Sequence, residues 1–423
     1  MSQRVIQVDE RPSLKETVPL SLQHLFAMFG STVLVPVLFH VDPATILLMN
    51  GIGTLLYLLI TKGKIPAYLG SSFAFISPVS VVLSGGGYAE ALGGFIAVGV
   101  ILMIVAWVVK MAGTSWIDVV FPPAAMGAIV AVIGLELVPT AAEMAGIIPP
   151  AGASADWQAD PTAVTVSLLT LGITIVGWVT FRGFLKIIPI LIGIICGYII
   201  AYIAGLTSLG TTVGQAEWLT LPTVYTPEFS WHSILIILPA ALVVIPEHIG
   251  HLAVTGNIVK KDLTKDPGLS RSLFGNGIST FISGFAGSTP NTTYGENIGV
   301  LAISKVYSTW VIGGAAICAV ILSFVGKLSA LISAIPDPVM GGISLLLFGV
   351  IASSGIRMLV ESQVDYDKPQ NLILTCIVLV VGISGASVNI GSVELTGMGL
   401  ATIVAIILSV LFKLFDVLKV SNE

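Results

Sequence analysis

Apolar residues run through this chain in continuous stretches of about twenty, separated by short polar intervals that hold most of the lysines and arginines. A helix needs stretches of that length to cross the hydrocarbon core of a bilayer, whereas strands of a membrane barrel alternate over about ten residues. The pattern predicts fourteen spans: 17–40, 43–61, 66–82, 89–109, 115–138, 162–181, 187–205, 232–254, 272–289, 290–304, 306–326, 328–352, 369–386 and 393–415. The third (P-A-Y-L-G-S-S-F-A-F-I-S-P-V-S-V-V) and the tenth (P-N-T-T-Y-G-E-N-I-G-V-L-A-I-S) are short, polar and interrupted by Gly or Pro. Non-helical backbone at membrane depth is tolerated only where it is buried in protein or lines a polar cavity. The stretch from Ser288 to Gly299 therefore predicts a broken element around a site.

The basic residues test the span count, because cytoplasmic loops are enriched in Lys and Arg. With the N-terminus inside, seventeen of the eighteen fall on the inner side and only Lys327 outside; a missed or invented span would swap everything after it. The two longest outer loops, 139–161 and 206–231, contain neither Lys nor Arg.

The two halves of the chain also correspond. F-P-P-A-A-M-G-A-I (121–129) matches I-P-D-P-V-M-G-G-I (335–343) at an offset of 214, and Gln23-His24 matches Glu247-His248 at an offset of 224. The second offset sets Ser71, Ser72 and Phe73 opposite Gly295, Glu296 and Asn297, so the two broken spans become counterparts. Seven spans per half is an odd number, which turns the second half upside down. Paired breaks in inverted repeats are the sequence signature of a transporter's midplane site.

Composition agrees with this class. With 55% hydrophobic and 10% charged residues, the 423-residue chain lies outside the range of soluble globular proteins. The net charge of −5 says little about partners when what matters is where the charges sit. No basic or aromatic cluster points to nucleic acid, and no cleavable signal is read, since the first apolar stretch follows Arg11, Lys15 and Glu16 and is too long. Cys196, Cys318 and Cys376 lie in apolar runs and read as small core residues, not as a disulfide or metal site.

Candidate chemistry centres on Glu247 in I-P-E-H-I-G-H-L. The i, i+4 spacing places His251 on the same helix face, with His248 elsewhere, and Pro246 and Gly250 leave the helix open to bending and close approach. A buried carboxylate costs several kcal/mol, so Glu247 should face a cavity, be paired, or be protonated part of the time. Glu296 follows Gly295 at the break, where unwound backbone leaves N–H groups without intrahelical partners. Two carboxylates and free amides complement a flat heterocycle that alternates N–H and C=O, as a pyrimidinedione does, and Phe73 would supply a ring face. Gln23 and His24 suit interhelical hydrogen bonding or direct contact, while Glu136 and Glu394 lie near the outer surface within reach of water.

The segments S-L-Q-H-L-F-A-M-F-G (21–30), G-S-S-F-A-F (70–75), E-H-I-G-H (247–251) and N-T-T-Y-G-E-N-I-G (291–299), with the span pattern, resemble the nucleobase/ascorbate transporter (nucleobase:cation symporter-2) family over essentially the whole chain. The resemblance implies an all-α polytopic protein of the cytoplasmic (inner) membrane, with both termini cytoplasmic, working as a homodimer among membrane lipids. Its activity would be uracil import coupled to protons, with no cofactor. The fourteen segments would form a 7+7 inverted repeat divided into a core domain (1–110 and 232–327) and a gate domain (111–231 and 328–423), with short antiparallel strands in the third and tenth segments. Carried over by matching motif, Glu247 and Glu296 would hold the ring edge and the backbone at Phe73 and Gly295 would meet the carbonyls. Ser72 and Tyr294 would belong to the same site, His251 would support Glu247 in proton coupling, and Gln23, His24 and Asn297 would support the site. Purine-carrying members usually have Gln at the place of Glu296 and ascorbate-type members Pro, so Glu296 favours uracil. Ser304, followed by Lys305, stands where the signature normally has Thr.

Three other readings follow from the same residues. The cargo could instead be another nucleobase, of the xanthine or uric acid class. An intramembrane metalloenzyme would use His248 and His251, although their i, i+3 spacing is not that of H-E-x-x-H and no third ligand is evident. An anion transporter or channel would have to overcome the two carboxylates.

Overall fold

The computed structural model describes residues 5–150, 152–207, 213–390 and 393–420. The protein is predominantly helical, and seven helical stretches among the described residues are long and apolar enough to cross a membrane. The first half opens with α1 (Leu14–Ala27), begun by a capping box of Ser13 and Glu16, and α2 (Phe29–Phe39), bent 41° from it. Next come α3 (Pro43–Ile60), capped by the Asp42 carboxylate on Ala44 N, strand β1 (Leu69–Ser71), a single 3₁₀ turn (Phe73–Phe75), α4 (Ile76–Gly85) and α5 (Tyr88–Ala112). After a short helix at Ser115–Val120 follow α6 (Pro123–Glu136), α7 (Pro161–Thr180) and α8 (Pro189–Ile203).

The second half contains α9 (Pro239–Val259), α10 (Leu269–Ala286), β2 (Asn291–Thr293), α11 (Gly295–Ser304) and α12 (Thr309–Leu322). It ends with α13 (Asp337–Glu361), α14 (Pro369–Ile383), a hairpin of β3 (Ser387–Ile390) and β4 (Val393–Thr396), and α15 (Gly397–Leu418). Helix α10 packs along α5 and α3, and α12 along α3 and α1. Helix α13 packs along α6 and α7, and α14 along α6 and α15. Between these two groups runs α9, which touches α6 and α15 on one side and α11 and α5 on the other.

Three predicted spans are redrawn. The stretch 115–138 breaks at Phe121–Pro122, and 328–352 breaks into a short helix at Gly326–Ser333 and the long α13. Pro122 and Pro336 are the N-caps of α6 and α13, because proline cannot donate within a preceding helix yet suits a helix start. The stretch 393–415 begins as β4, and α15 starts only at Gly397. Glu136 is not simply an outer carboxylate: its Oε2 accepts from Met398 N at 2.8 Å and so caps the first turn of α15.

β1 and β2 form an antiparallel ribbon with Leu69 opposite Thr293, Gly70 opposite Thr292 and Ser71 opposite Asn291, and all six residues are buried. A two-stranded ribbon inside a helical bundle leaves edge groups that must find partners away from water. Leu69 N donates to Thr54 Oγ1 of α3 at 2.9 Å, and Thr280 Oγ1 of α10 donates to Asn291 O at 3.0 Å. Ser72 N donates to Pro290 O and Tyr294 N to Tyr68 O, extending the pairing at both ends. Asn291 Nδ2 reaches Met49 O (3.1 Å), Ser279 Oγ (2.9 Å) and Ser283 Oγ (3.2 Å), which ties β2 to α3 and α10 together.

Candidate functional site

Each ribbon strand runs into a helix that starts in the protein interior: β1 into the turn at Phe73 and then α4, β2 into α11 at Gly295. The first N–H groups of a helix have no intrahelical partner, so these two starts present backbone donors beside the ribbon. A cavity of about 260 Å³ lies against them, walled by Phe73, Glu247, His251, Tyr294, Gly295 and Glu296 from the ribbon side. Across it stand residues of α6, α8 and α13, and Lys186 and Arg357 also line its wall.

The structure brings together most of the residues read from the sequence. Glu247 and His251 share one face of α9 as their spacing requires, and both are buried. Glu247 Oε2 has no hydrogen-bond partner within the protein, although the residue is only 8% exposed. An acceptor held in that way suits a ligand N–H, since an unsatisfied buried carboxylate oxygen is costly. His251 Nδ1 lies 3.2 Å from Thr293 Oγ1, which orients the ring. A Cβ placed on Gly295 would come 3.3 Å from His251 Nε2, so the bare backbone there leaves room for the imidazole.

Phe73 and Tyr294 lie with rings nearly parallel, centroids 6.3 Å apart at 11°, and Gly70 makes this possible, because any side chain there would collide with the Tyr294 ring. Phe348 of α13 meets Phe73 edge-on at 6.2 Å and 83°, closing one end of the aromatic group.

Other candidates lie outside the cavity wall. His24 is buried with Nδ1 3.3 Å from Asn297 Oδ1, and Asn297 Nδ2 donates to Pro66 O at 3.2 Å, so this pair buttresses the start of α11 from behind. Gln23 is half-buried one residue before it. Ser72 is buried, with its N–H engaged by Pro290 O and its hydroxyl without a partner. His248 turns away from His251: its Nε2 is 2.7 Å from Ser272 Oγ, which is 2.7 Å from Tyr57 OH. The two histidines therefore do not converge, and among the described residues no group of three His, Cys, Asp or Glu side chains could hold a metal.

Sequence reasoning missed Phe348, Arg357 and Thr293. The first two reach the site from a helix far along the chain with nothing in the local pattern to mark them. Thr293 could have been found, since it belongs to the polar N-T-T run and would naturally face the imidazole four residues after Glu247.

Comparison with known proteins agrees with the motifs. The chain is 65% identical to a uracil permease of Escherichia coli (strain K12) over 419 residues, covering 99% of this chain and 96% of that one. It is 63% identical to a uracil permease of Paenibacillus larvae over the full length of both. Among solved structures, the transmembrane domain of a cyanobacterial bicarbonate transporter, BicA, matches with TM-score 0.61 at 13% identity, covering 97% of this chain and 99% of that chain. SLC26A9 matches with TM-score 0.71 at 10% identity, covering 96% and 66%. At such identities these structures establish a shared transporter fold and nothing about cargo. With residues 15–391 matched by the Permease family and full-length identity to its named relatives, the resemblance read from the motifs holds and the chain belongs to that family.

Proposed function

We propose that this protein imports uracil across the cytoplasmic membrane by symport with a proton. The observation that carries the reading is the convergence of Glu247, Glu296 and the Gly295 backbone on one cavity, in a chain that shares 63–65% of its residues with uracil permeases. Uracil alternates N–H and C=O around a flat ring. Glu247 and Glu296 accept from the ring N–H edge, the helix starts at Phe73 and Gly295 donate to carbonyls, and the rings of Phe73 and Tyr294 provide the apolar face. Ser72 acts through the backbone of that start, and Gln23, His24 and Asn297 act as supports. Glu247 carries the coupled proton, with His251 holding the carboxylate side of the site in register. No cofactor takes part beyond the proton.

The architecture behind this is fourteen spans in a 7+7 inverted repeat. Two features support it. The proline N-caps of α6 and α13 stand 214 residues apart, in the matching motifs. The ribbon is centred between Gly70 and Thr292, so a two-fold axis through it relates Leu69 to Asn291 at an offset of 222. That differs by two from the 224 suggested by Gln23-His24 and Glu247-His248, and it makes Phe73 the counterpart of Gly295 and Ser72 the counterpart of Tyr294. The helix packing supports a core domain of 1–110 and 232–327 and a gate domain of 111–231 and 328–423, with alternating access by movement of core against gate. A homodimer with both termini cytoplasmic completes the reading.

Uptake into proteoliposomes tests it. Uracil should accumulate against its gradient only while the outside is more acidic, and Glu247→Gln should abolish accumulation while leaving folded protein. Accumulation that persists after the pH gradient is collapsed would overturn proton coupling. A competition panel in which xanthine displaces uracil at equal concentration would move the cargo to the purine class.

A further inference from the structure

One residue on the face of α9 that carries Glu247 and His251 has no side chain. Gly250 lies between them, and the space where its Cβ would stand is occupied by the Met358 thioether of α13: the terminal methyl overlaps that position and Sδ is 2.9 Å from it. Met358 is only 6% exposed and lines the same cavity as Glu247. The long α13 packs elsewhere along α6 and α7, so its approach to α9 is made by this flexible side chain rather than by two continuous helix faces. A methionine end seated in a glycine gap is a contact that can be made and broken with little backbone movement, in contrast to interlocked branched side chains.

We propose that Met358 in the Gly250 slot is the peg that holds the conformation seen here, one in which the cavity is walled by Lys186 and Arg357, and that it must withdraw each time the core moves against the gate. The proposal rests on the core-against-gate reading. It makes Gly250 and Met358 positioning residues for alternating access, Gly250 standing one residue from His251 and three from Glu247. Because the atoms that a Cβ would meet belong to the far end of a flexible chain, Gly250→Ala can fold by turning Met358 away. It then loses the peg, not the helix.

The test measures conformation without any nucleobase. Cys196, Cys318 and Cys376 are replaced by Ala, and spin labels are placed at Lys110 of α5 and Lys413 of α15, both exposed and on helices other than α9 and α13. Double electron–electron resonance then gives the weight of the distance belonging to this conformation. Gly250→Ala should lower that weight relative to the others about fivefold, as should Met358→Ala, which empties the slot from the other side. The double variant should be no lower than Met358→Ala alone, because the two changes remove one contact. If the two effects multiply, or if Met358→Ala leaves the distribution unchanged, the peg is wrong. A wild-type protein that fails to transport uracil would overturn the cargo assignment and leave these distances untouched. A distribution that is single and unmoved by all three variants would overturn the movement itself.

Discussion

The two broken elements have the same backbone and different chemistry. β1 and β2 are equal in length, wholly buried, paired in register, and each leads into a helix that starts in the protein interior. Yet the first half brings Phe73 and hydroxyls with no ionisable group, while the second brings Tyr294, Gly295 and Glu296. Even the strands divide their work. Leu69 is held through its backbone by Thr54, whereas Asn291, at the equivalent place, uses its side chain to bind α3 and α10. The backbone thus supplies a near-symmetric pair of amide-lined helix starts, and the unlike side chains beside them would suit a ligand with unlike edges.

Removing the charged half should cost most. Glu296→Ala is expected to weaken uracil binding about a hundredfold, corresponding to roughly 3 kcal/mol for a lost charged hydrogen bond. Equilibrium binding to purified protein checks it, and wild-type affinity would show that the asymmetry has nothing to do with cargo. Asn291→Ala should leave affinity nearly intact while lowering stability by about 2 kcal/mol, because Met49 O and two hydroxyls lose their donor. A thermal melt in detergent reads this, and an unchanged melting temperature would mean the two strands are equally anchored without it. Phe73→Ala should reduce affinity about tenfold, with Phe73→Leu recovering part of the loss, since the ring contributes both area and face. Thr293→Val should act least, lowering stability by about 1 kcal/mol through the freed His251 ring. Its mark would be a change in the pH profile of uptake at nearly constant binding. A fall in affinity as large as that of Phe73→Ala would place Thr293 on the ligand instead.

Much of the geometry of the candidate site was legible in the chain. A polar, Gly- and Pro-interrupted run among apolar spans is costly unless it surrounds a site, and that reasoning found both halves of the ribbon region. Helical spacing put Glu247 and His251 together correctly and set His248 apart. What failed had physical reasons too. Hydropathy averages over the proline breaks at Pro122 and Pro336, because the residues on either side are equally apolar, so two bends were read as straight spans. Glu136 looked like a water-exposed carboxylate because nothing local reveals that the start of α15, some 260 residues later, comes to lie beneath it. The ribbon register suggests an offset of 222, two less than the match of Gln23-His24 with Glu247-His248, because the one compares backbone pairing and the other side-chain similarity. Phe348 and Met358 belong to a helix that meets the site only through the tertiary fold.

Since β1 and β2 are hydrogen-bonded to each other and to α3 and α10, Phe73 at the end of one strand and Gly295-Glu296 at the end of the other are carried by a single hydrogen-bonded unit. They are not two jaws. Under the proposed movement of core against gate, that unit would travel whole and offer its passenger the same edge in either state, so its shape alone would not make it grip on one side and let go on the other. In the symport proposed above, grip and release would then be set by the protonation of an ionisable group, and the proton would serve as the ratchet as well as the fuel.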